Sequence, residues 1–572
     1  MDNLISKLLD FLNYSYKKLQ EVFYLCLLFL ICILFLFLNL GSYPLIDVDE
    51  TRYIQISKEM FNSGNYITPF LNFEPFLEKP PLFFWANCAS FGIFDNYSIL
   101  TARFANSMFA MFSVFFVYFL AKKMLNKDFA LISSLILLSS CWFLIFAHIA
   151  ILDMAFMAMT TASIGSALYV FYIKKENQKF ALWAFWAFMG LATLAKGLIG
   201  IIIPICTVLL IFAIKHKLKL FFAPKNFIVG LIIFLLIALP WHVLAYLENG
   251  QTWLNEYFLK HHFARFANSG MGLNRKQPFL FYVPIILLGI FPWTLQAIAA
   301  IGKIIKTIYS RFKESKIFEL VIRTDTYQEK ILLFASIWAG FIFLLFSIAS
   351  TKLPTYILPL VPPMAILCGS LWFQYILGNK YSKLIRLTSI WLFGFILIFG
   401  IIALILPFVK IEALLIYLSN MNFYIPSAVI LIALSIFAII FALKNRRILL
   451  FSCYIILSFS AITISTREVF EYMVSFGQDE LMEYANIAKE DKSSSLMTYD
   501  FPRKYSIIEI YGKKVNTIEN NENKKLRKEV RLEKRKRKNV YVILRNKNTK
   551  NYKRFPKHKV IKKGEKYTLI KF

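Results

Sequence analysis

Six carboxylates stand close together in one polar stretch near the start of the chain: Asp47, Asp49, Glu50, Glu59, Glu74 and Glu78, among Arg52, Lys58 and Lys79. Carboxylates interleaved with fixed cations can serve acid–base work and can hold an anionic, phosphate-bearing ligand. Further polar residues lie at the ends of apolar runs. His148 and Asp153 flank a short break, Lys196-Gly197 marks another, and Lys260-His261-His262 precedes Arg265-Phe266. Thr351-Lys352-Leu353-Pro354-Thr355-Tyr356 offers a cation and a phenol at the start of a later apolar run. Each has a plainer reading. Asp49 would serve as an N-cap at the head of an amphipathic helix, with Glu50 favouring its dipole. Lys79 would snorkel toward headgroups. Asp153, about one turn into an apolar helix, would sit in a structural ion pair or line a wet functional cavity. Lys196 would stabilise a helix C-terminus followed by glycine, and Tyr356 would belong to an interfacial aromatic belt. Two adjacent histidines without a third ligand at metal spacing make a weak zinc signal. No metal or cofactor is assigned. The acidic loop could hold a divalent ion, but pairing of its carboxylates with Arg and Lys explains it as well.

The elements that must carry these groups are membrane spans. Of 572 residues, 58% are hydrophobic and 17% charged, and there are 59 Phe, against about 45–50% apolar and about 25% charged in soluble domains. Apolar runs of span length recur, which predicts a polytopic α-helical membrane protein. The spans fall at 22–40, 98–121, 129–147, 150–173, 180–195, 197–214, 226–246, 278–300, 331–350, 355–377, 384–408, 424–443 and 449–466, about 13 in all. With the N-terminus inside, every inside loop is basic, from Lys122-Lys123-Lys127 to Lys444-Arg446-Arg447, as the positive-inside rule asks. The first apolar run has no small-residue cleavage site and reads as an uncleaved signal anchor. This topology leaves loops 41–97 and 247–278 and the tail outside; 12 spans with the tail inside is the competitor.

The domains predicted are 1–466, a transmembrane part with those two loops, and 467–572, a small soluble α/β domain. In the tail, Tyr505–Ile510, Asn539–Arg545 and Lys566–Phe572 are strand-like and Asp479–Lys489 is helix-like. In the first loop a helix follows Asp49 and ends at Asn62-Ser63-Gly64, and a second starts at Pro80 or Pro81. The formal charge is +31. From Arg467 onward 28 basic residues face 14 acidic ones, and Lys524 to Lys538 is a charge run, a solvated helix or loop or a segment resting on anionic lipid headgroups. Nucleic acid is not needed to explain it, since no recognition motif is present. All seven cysteines lie in or beside apolar segments without ligand spacing, so neither zinc nor a disulfide framework is supported. Walker, Rossmann and HExxH signatures are missing, which counts against nucleotide-driven and zinc-hydrolase chemistry.

Six segments, in order, carry a resemblance: "DVDETRYIQISKEM" (47–60), "FLEKPPLFFW" (76–85), "ILD" (151–153), "LAKG" (194–197), "HHFARF" (261–266) and "KLPTYILPLVPP" (352–363). Together they resemble the aminoarabinose–lipid A transferases and, more broadly, the C-superfamily membrane glycosyltransferases that include the protein O-mannosyltransferases. The resemblance implies the C-type glycosyltransferase fold. It also implies an inverting glycosyltransferase of the bacterial inner membrane that moves a pentose or hexose from a polyprenyl-phosphate donor to lipid A, another envelope glycan or a protein at the periplasmic face. Carried over by position, Asp49 with Glu50 forms the catalytic pair. Lys79, Arg265 and Tyr356 hold the donor phosphate, and Glu78, Asp153, Lys196, His262 and Lys352 are supporting donor-binding groups. In that family an acidic residue usually precedes the second-loop histidine. Here His261 stands there, which bears on acceptor recognition. A lipid or glycan transporter is the alternative reading, but internal repeats and midplane charges, which transporters tend to show, are not evident. A glycan-binding envelope protein is a third.

Overall fold

The computed structural model describes residues 2–264, 277–313, 326–349, 351–405, 424–464, 470–499, 504–518, 522–546, 555 and 557–572. The chain divides into two compact units, one of Met1–Leu38, Asn106–His148 and Leu152–Ser465, the other of Asn39–Ala105, Ile149–Ile151 and Thr466–Phe572.

The first unit is a helical membrane bundle. Its helices are α1 (Asp2–Phe37), most of α4 (Ile99–Met124), α5 (Lys127–Leu138), α6 (Cys141–Ala147), α7 (Leu152–Tyr169), α8 (Gln178–Lys196), α9 (Ile199–Ile214) and α10 (Leu218–Phe221). They continue as α11 (Pro224–Leu254), α12 (Tyr282–Gly289), α13 (Thr294–Lys313), α14 (Tyr327–Ile348), α15 (Val361–Ile376), α16 (Ser382–Ile405), α17 (Tyr424–Leu443) and α18 (Arg447–Ile464). The second unit contributes α2 (Asp49–Ser63), β1 (Phe70–Leu71), β2 (Glu74–Pro75) and α3 (Leu82–Phe94). Among the described residues eight helices are long and apolar enough to cross a membrane, nine if the bent pair α5 and α6 is one span. The protein is thus a multi-pass membrane protein. The four remaining sequence-predicted spans fall on α7, α8, α9 and α12. The predicted span 278–300 is two pieces, because the chain breaks between Gly289 and Thr294 and α13 continues as a helix carrying Lys303 and Lys306.

Two glycine-dependent turns shape this unit. α8 ends at Lys196 with Gly197 at φ 75°, a region that favours glycine. Gly200 then lies where a Cβ would stand 2.4 Å from the Ala192 backbone, so the α8–α9 hairpin closes only without a side chain there. Farther on, Gly250 (φ 57°, ψ −143°) reverses α11. The Trp241 ring centroid lies 6.0 Å from that of Trp253 and 5.9 Å from that of Tyr257, whereas twelve residues of straight helix span about 18 Å. The predicted second loop thus opens on a helical return, continued as a π-helix over Asn255–Ala264.

In the second unit the tail is an α/β domain: α19 (Phe470–Glu490), β3 (Ser494–Tyr499), α20 (Tyr505–Tyr511), β4 (Val515–Ile518), α21 (Asn523–Arg535), β5 (Asn539–Arg545), β6 (Lys559–Lys563) and β7 (Tyr567–Lys571). The sheet order is β4-β3-β5-β7-β6. Strand β3 is parallel to both β4 and β5, with Leu496 opposite Val515 and Tyr541, and the β5–β7–β6 side is antiparallel. The predicted strand at Tyr505–Ile510 is a helix. Parallel β3 and β4 need a crossover between them, and this short apolar run supplies it, ending at Gly512 (φ 72°). Periodicity does not separate a short buried helix from a strand. The other two predicted strands and the helix at 479–489 match β5, β7 and α19.

The β1–β2 hairpin turns through Asn72 and Phe73, both at positive φ (57° and 62°), the two-residue geometry that twists with its strands. Glu59 holds it, accepting the Asn72 and Phe73 N–H groups at 2.8 Å each. The Asn72 side chain then pairs like a strand with the free edge of β4. Its Nδ2 donates to the Val515 carbonyl and its Oδ1 accepts the Val515 N–H, both at 2.8 Å. Asn72→Ala therefore leaves two half-buried backbone groups without these partners. We expect a loss of about 1–3 kcal/mol, read as a lower melting temperature and earlier proteolysis within the tail.

Candidate active site

Asp49 is the first residue of α2. The residue before it, Val48, occupies the cap position, and no side chain caps this helix. The N-cap role open to Asp49 in the sequence is therefore not the one it plays. Its side chain is 61% exposed and accepts a 2.5 Å bond from Arg52, three residues on. Arg52 also packs on Tyr53, its guanidinium 4.8 Å from the ring centroid. Burial disfavours its charge, but Tyr53, Asp49, Tyr505 and Glu78 outweigh this and raise its pKa above the ordinary guanidinium value. Glu78 and Lys79 are half-buried in the turn before α3, which starts at Leu82 behind Pro81, close to where the sequence places it.

Glu50, one residue from Asp49, is in the opposite situation. Its side chain is fully buried. Oε1 accepts from Arg103 Nε at 2.7 Å and from the Ala150 N–H at 2.8 Å. Oε2 accepts from Arg103 Nη2 at 2.9 Å and the Ile46 N–H at 2.8 Å. The remaining Arg103 donors reach the carbonyls of Leu40, Tyr43 and Pro44 at 2.9–3.0 Å. All five N–H groups of the guanidinium are used, and it lies 3.8 Å from the centroid of the Tyr43 ring. One ion pair thus ties the 40–46 segment, the first turn of α2, the start of α4 and the 149–151 segment together. Sequence reasoning missed Arg103. The signal was there, an arginine within a run read as apolar span 98–121, where a charge is expensive and needs a partner.

Asp47 also has a structural assignment. Its buried side chain accepts from the Ser506 N–H (3.1 Å), Ser506 Oγ (2.6 Å) and Thr51 Oγ1 (2.5 Å), with Lys504 Nζ 3.9 Å away. Gln478 completes the seam, taking the Asp47 N–H at 2.9 Å and donating to the Leu45 carbonyl at 3.0 Å. Lys58 lies over the Tyr97 ring at 4.0 Å and 3.6 Å from Glu509. Burial lowers its pKa, and Lys489 adds to this while Glu509 opposes it. Much of the loop's charge is therefore spent on docking the loop to the tail domain within this unit.

In the bundle, Asp153 is buried in the first turn of α7 and forms an ion pair with Lys196 at the end of α8. Lys196 Nζ lies 4.5 Å from the centroid of the Tyr356 ring and 5.2 Å from that of Phe156. Lys352 is buried, and its ammonium donates to the carbonyls of Gln277 (3.1 Å) and Ala349 (2.6 Å). The segment it opens is anchored by Tyr282, whose hydroxyl donates to the Leu353 carbonyl at 3.1 Å. The structure thus joins Asp153, Lys196 and Tyr356, which 203 positions separate in sequence. Arg265 and the His262 side chain lie outside the described residues. Among the described residues no three His, Cys, Asp or Glu side chains gather as a metal site.

Residues 22–254 match the family model of dolichyl-phosphate-mannose-protein mannosyltransferase. The undecaprenyl phosphate-alpha-4-amino-4-deoxy-L-arabinose arabinosyl transferase 2 of Proteus mirabilis is 29% identical over 422 residues, 73% of this chain and 68% of that protein. The Yersinia pestis transferase of the same activity is 29% identical over 352 residues, covering 60% of this chain and 58% of its own length. Among solved structures, ArnT from Cupriavidus metallidurans in the apo state has a TM-score of 0.74 at 18% identity, covering 96% of this chain and 98% of the other. The Archaeoglobus fulgidus oligosaccharyltransferase, also apo, has a TM-score of 0.53 at 14% identity, over 93% and 70%. The chain is therefore a membrane glycosyltransferase with an ArnT-like C-superfamily fold. The resemblance to the aminoarabinose transferases and the mannosyltransferase family read from its six motifs holds over both sequence and fold.

Proposed function

We propose that this protein transfers a glycosyl group from a polyprenyl-phosphate-linked sugar to an envelope acceptor, lipid A or a related glycan or protein. The reaction is placed at the periplasmic face of the inner membrane. The observation that carries this reading is the 422-residue alignment with the Proteus arabinosyl transferase. The arrangement N-in with 13 spans and an outside tail is part of the proposal, supported by the basic inside loops. Residues 1–466 make the membrane catalytic part with loops 41–97 and 247–278, and 467–572 the periplasmic domain.

The acceptor oxygen bonds to the anomeric carbon as the bond from that carbon to the phosphate oxygen breaks. The polyprenyl phosphate leaves with the electron pair, and inversion follows from a single displacement. A phosphate leaving group is already a good anion and asks for fixed cations more than for an acid. Lys79, Arg265, Lys196 and Lys352 are the candidate cations, with the Tyr356 hydroxyl as a further donor and Glu78, Asp153 and His262 supporting them. Asp49 takes the proton of a hydroxyl acceptor; with a phosphate acceptor it positions the acceptor or stabilises the cationic sugar. Within the Asp49-Glu50 pair we assign the chemistry to Asp49, whose carboxylate is exposed, and a structural role to Glu50, whose oxygens are taken.

Lys196→Ala leaves Asp153 without its counter-charge and should lower transfer by about 10²-fold, measured with purified protein and a polyprenyl-phosphate sugar. The function itself is tested by mass spectrometry of envelope lipids and glycans from a deletion strain. A sugar-sized mass missing from one acceptor, restored by the wild-type chain together with loss of accumulated polyprenyl-phosphate sugar, is the expected result. An unchanged lipid, polysaccharide and glycoprotein profile in expressing cells would overturn it.

A further inference from the structure

Helix α21 separates its side chains into two stripes. Leu526, Val530 and Glu533 are buried at i, i+4 and i+7, the apolar pair packing on Val540, Val542 and Ile570 of the sheet. At 100° per residue, Lys524, Lys528, Arg531 and Arg535 fall diametrically opposite, all four exposed. They make a straight row over twelve residues, about 16 Å long.

The four differ from three of the basic residues beside them. Lys525 pairs with Glu522 at 3.0 Å, and Lys536 and Lys538 pair with Glu533 at 2.7 and 3.1 Å. None of the four outward cations has an acidic partner within 4 Å among the described residues. Like charges at i, i+4 spacing repel along a helix, so the row is held together by the packing of the opposite face and lacks its counter-charge. Only residues 465–469 separate the end of α18, an apolar membrane helix, from α19, which begins the same domain. The row therefore belongs to a domain joined directly in sequence to a membrane span, whichever side the tail occupies.

We propose that the outward row of α21 is a docking face for the anionic headgroup surface of a phospholipid bilayer. A planar array of phosphates matches a straight row of unpaired cations, and the attraction falls off within a Debye length of the surface. The occupant is the surface itself, and no defined pocket is required. The inference does not depend on the transfer reaction.

The test uses the full chain in nanodiscs, one set containing 30% phosphatidylglycerol and one of phosphatidylcholine alone, with hydrogen exchange followed by mass spectrometry. Amides of 523–535 should exchange about threefold or more slowly in the anionic discs, and 0.5 M NaCl should remove the difference. The variant K524Q/K528Q/R531Q/R535Q should exchange alike in both discs, with β3 and β5 as protected as in wild type. Should that variant lose protection in the sheet, K528Q/R535Q serves instead and should show a reduced lipid difference. Equal exchange of the wild type in both discs overturns the proposal, as does a lipid difference that survives salt or the substitutions. Slowing in neutral discs by added acidic polysaccharide, without slowing by anionic lipid, also overturns it.

Discussion

Asp49→Asn should abolish glycosyl transfer, a loss of about 10²–10³-fold or more, while the protein still inserts, folds and melts close to wild type. The structure separates these two effects. The Asp49 carboxylate is largely exposed and paired with Arg52 on the same helix turn, and such surface pairs contribute about 0–1 kcal/mol. Loss of its charge at a helix N-terminus costs about another 0.3–1 kcal/mol. Asparagine keeps the size and can still accept from Arg52, but it cannot act as a base at neutral pH. Purified wild type and variant, compared for transfer and for thermal melting, give the check. Full activity in the variant would remove Asp49 from the chemistry. A collapsed melting transition would instead make it structural, against its exposure.

The second large effect is expected one residue away and has the opposite signature. Glu50→Ala or Arg103→Ala should destabilise the protein by about 3–5 kcal/mol, because each leaves a buried charge without its partner. Transfer should fall only as the folded fraction falls. Arg103→Lys should not rescue, since an ammonium has three donors in place of the five that reach Glu50, Leu40, Tyr43 and Pro44. The Glu50→Ala/Arg103→Ala double variant should be less destabilised than the sum of the two single ones. Denaturation of the purified chain, followed in the second unit by hydrogen exchange, reads this directly. A Glu50→Ala protein that melts like wild type but does not transfer would restore Glu50 to the catalytic pair.

These two adjacent carboxylates show how far local sequence reaches. The pattern Asp-Glu at the head of an amphipathic run identifies a helix start and a polar pair. It does not say which residue points outward. That is decided by Arg103, 53 positions from Glu50, and by the Ala150 N–H, 100 positions away. The same limit applies to Asp47, which reads as one more acid of the loop and is buried against Ser506. Asp153 and Lys196 were each legible as costly charges at helix ends. Their pairing was not, because it depends on how α7 packs beside α8.

By itself the sequence determined the membrane class, since apolar runs of span length recur and a helix satisfies its own backbone groups in a bilayer. It also determined the glycosyltransferase resemblance, carried by six ordered motifs, and the α/β character of the tail, because burial periodicity and composition are local properties. Tertiary structure decided the rest. The run at Tyr505–Ile510 became a helix because the parallel pair β3 and β4 needs a crossover. The span predicted at 278–300 broke in two between Gly289 and Thr294. Most of the first loop's carboxylates became structural, because their partners lie tens to hundreds of residues away. Spacing within a segment cannot encode such partners, and only the folded chain brings their charges within hydrogen-bond reach.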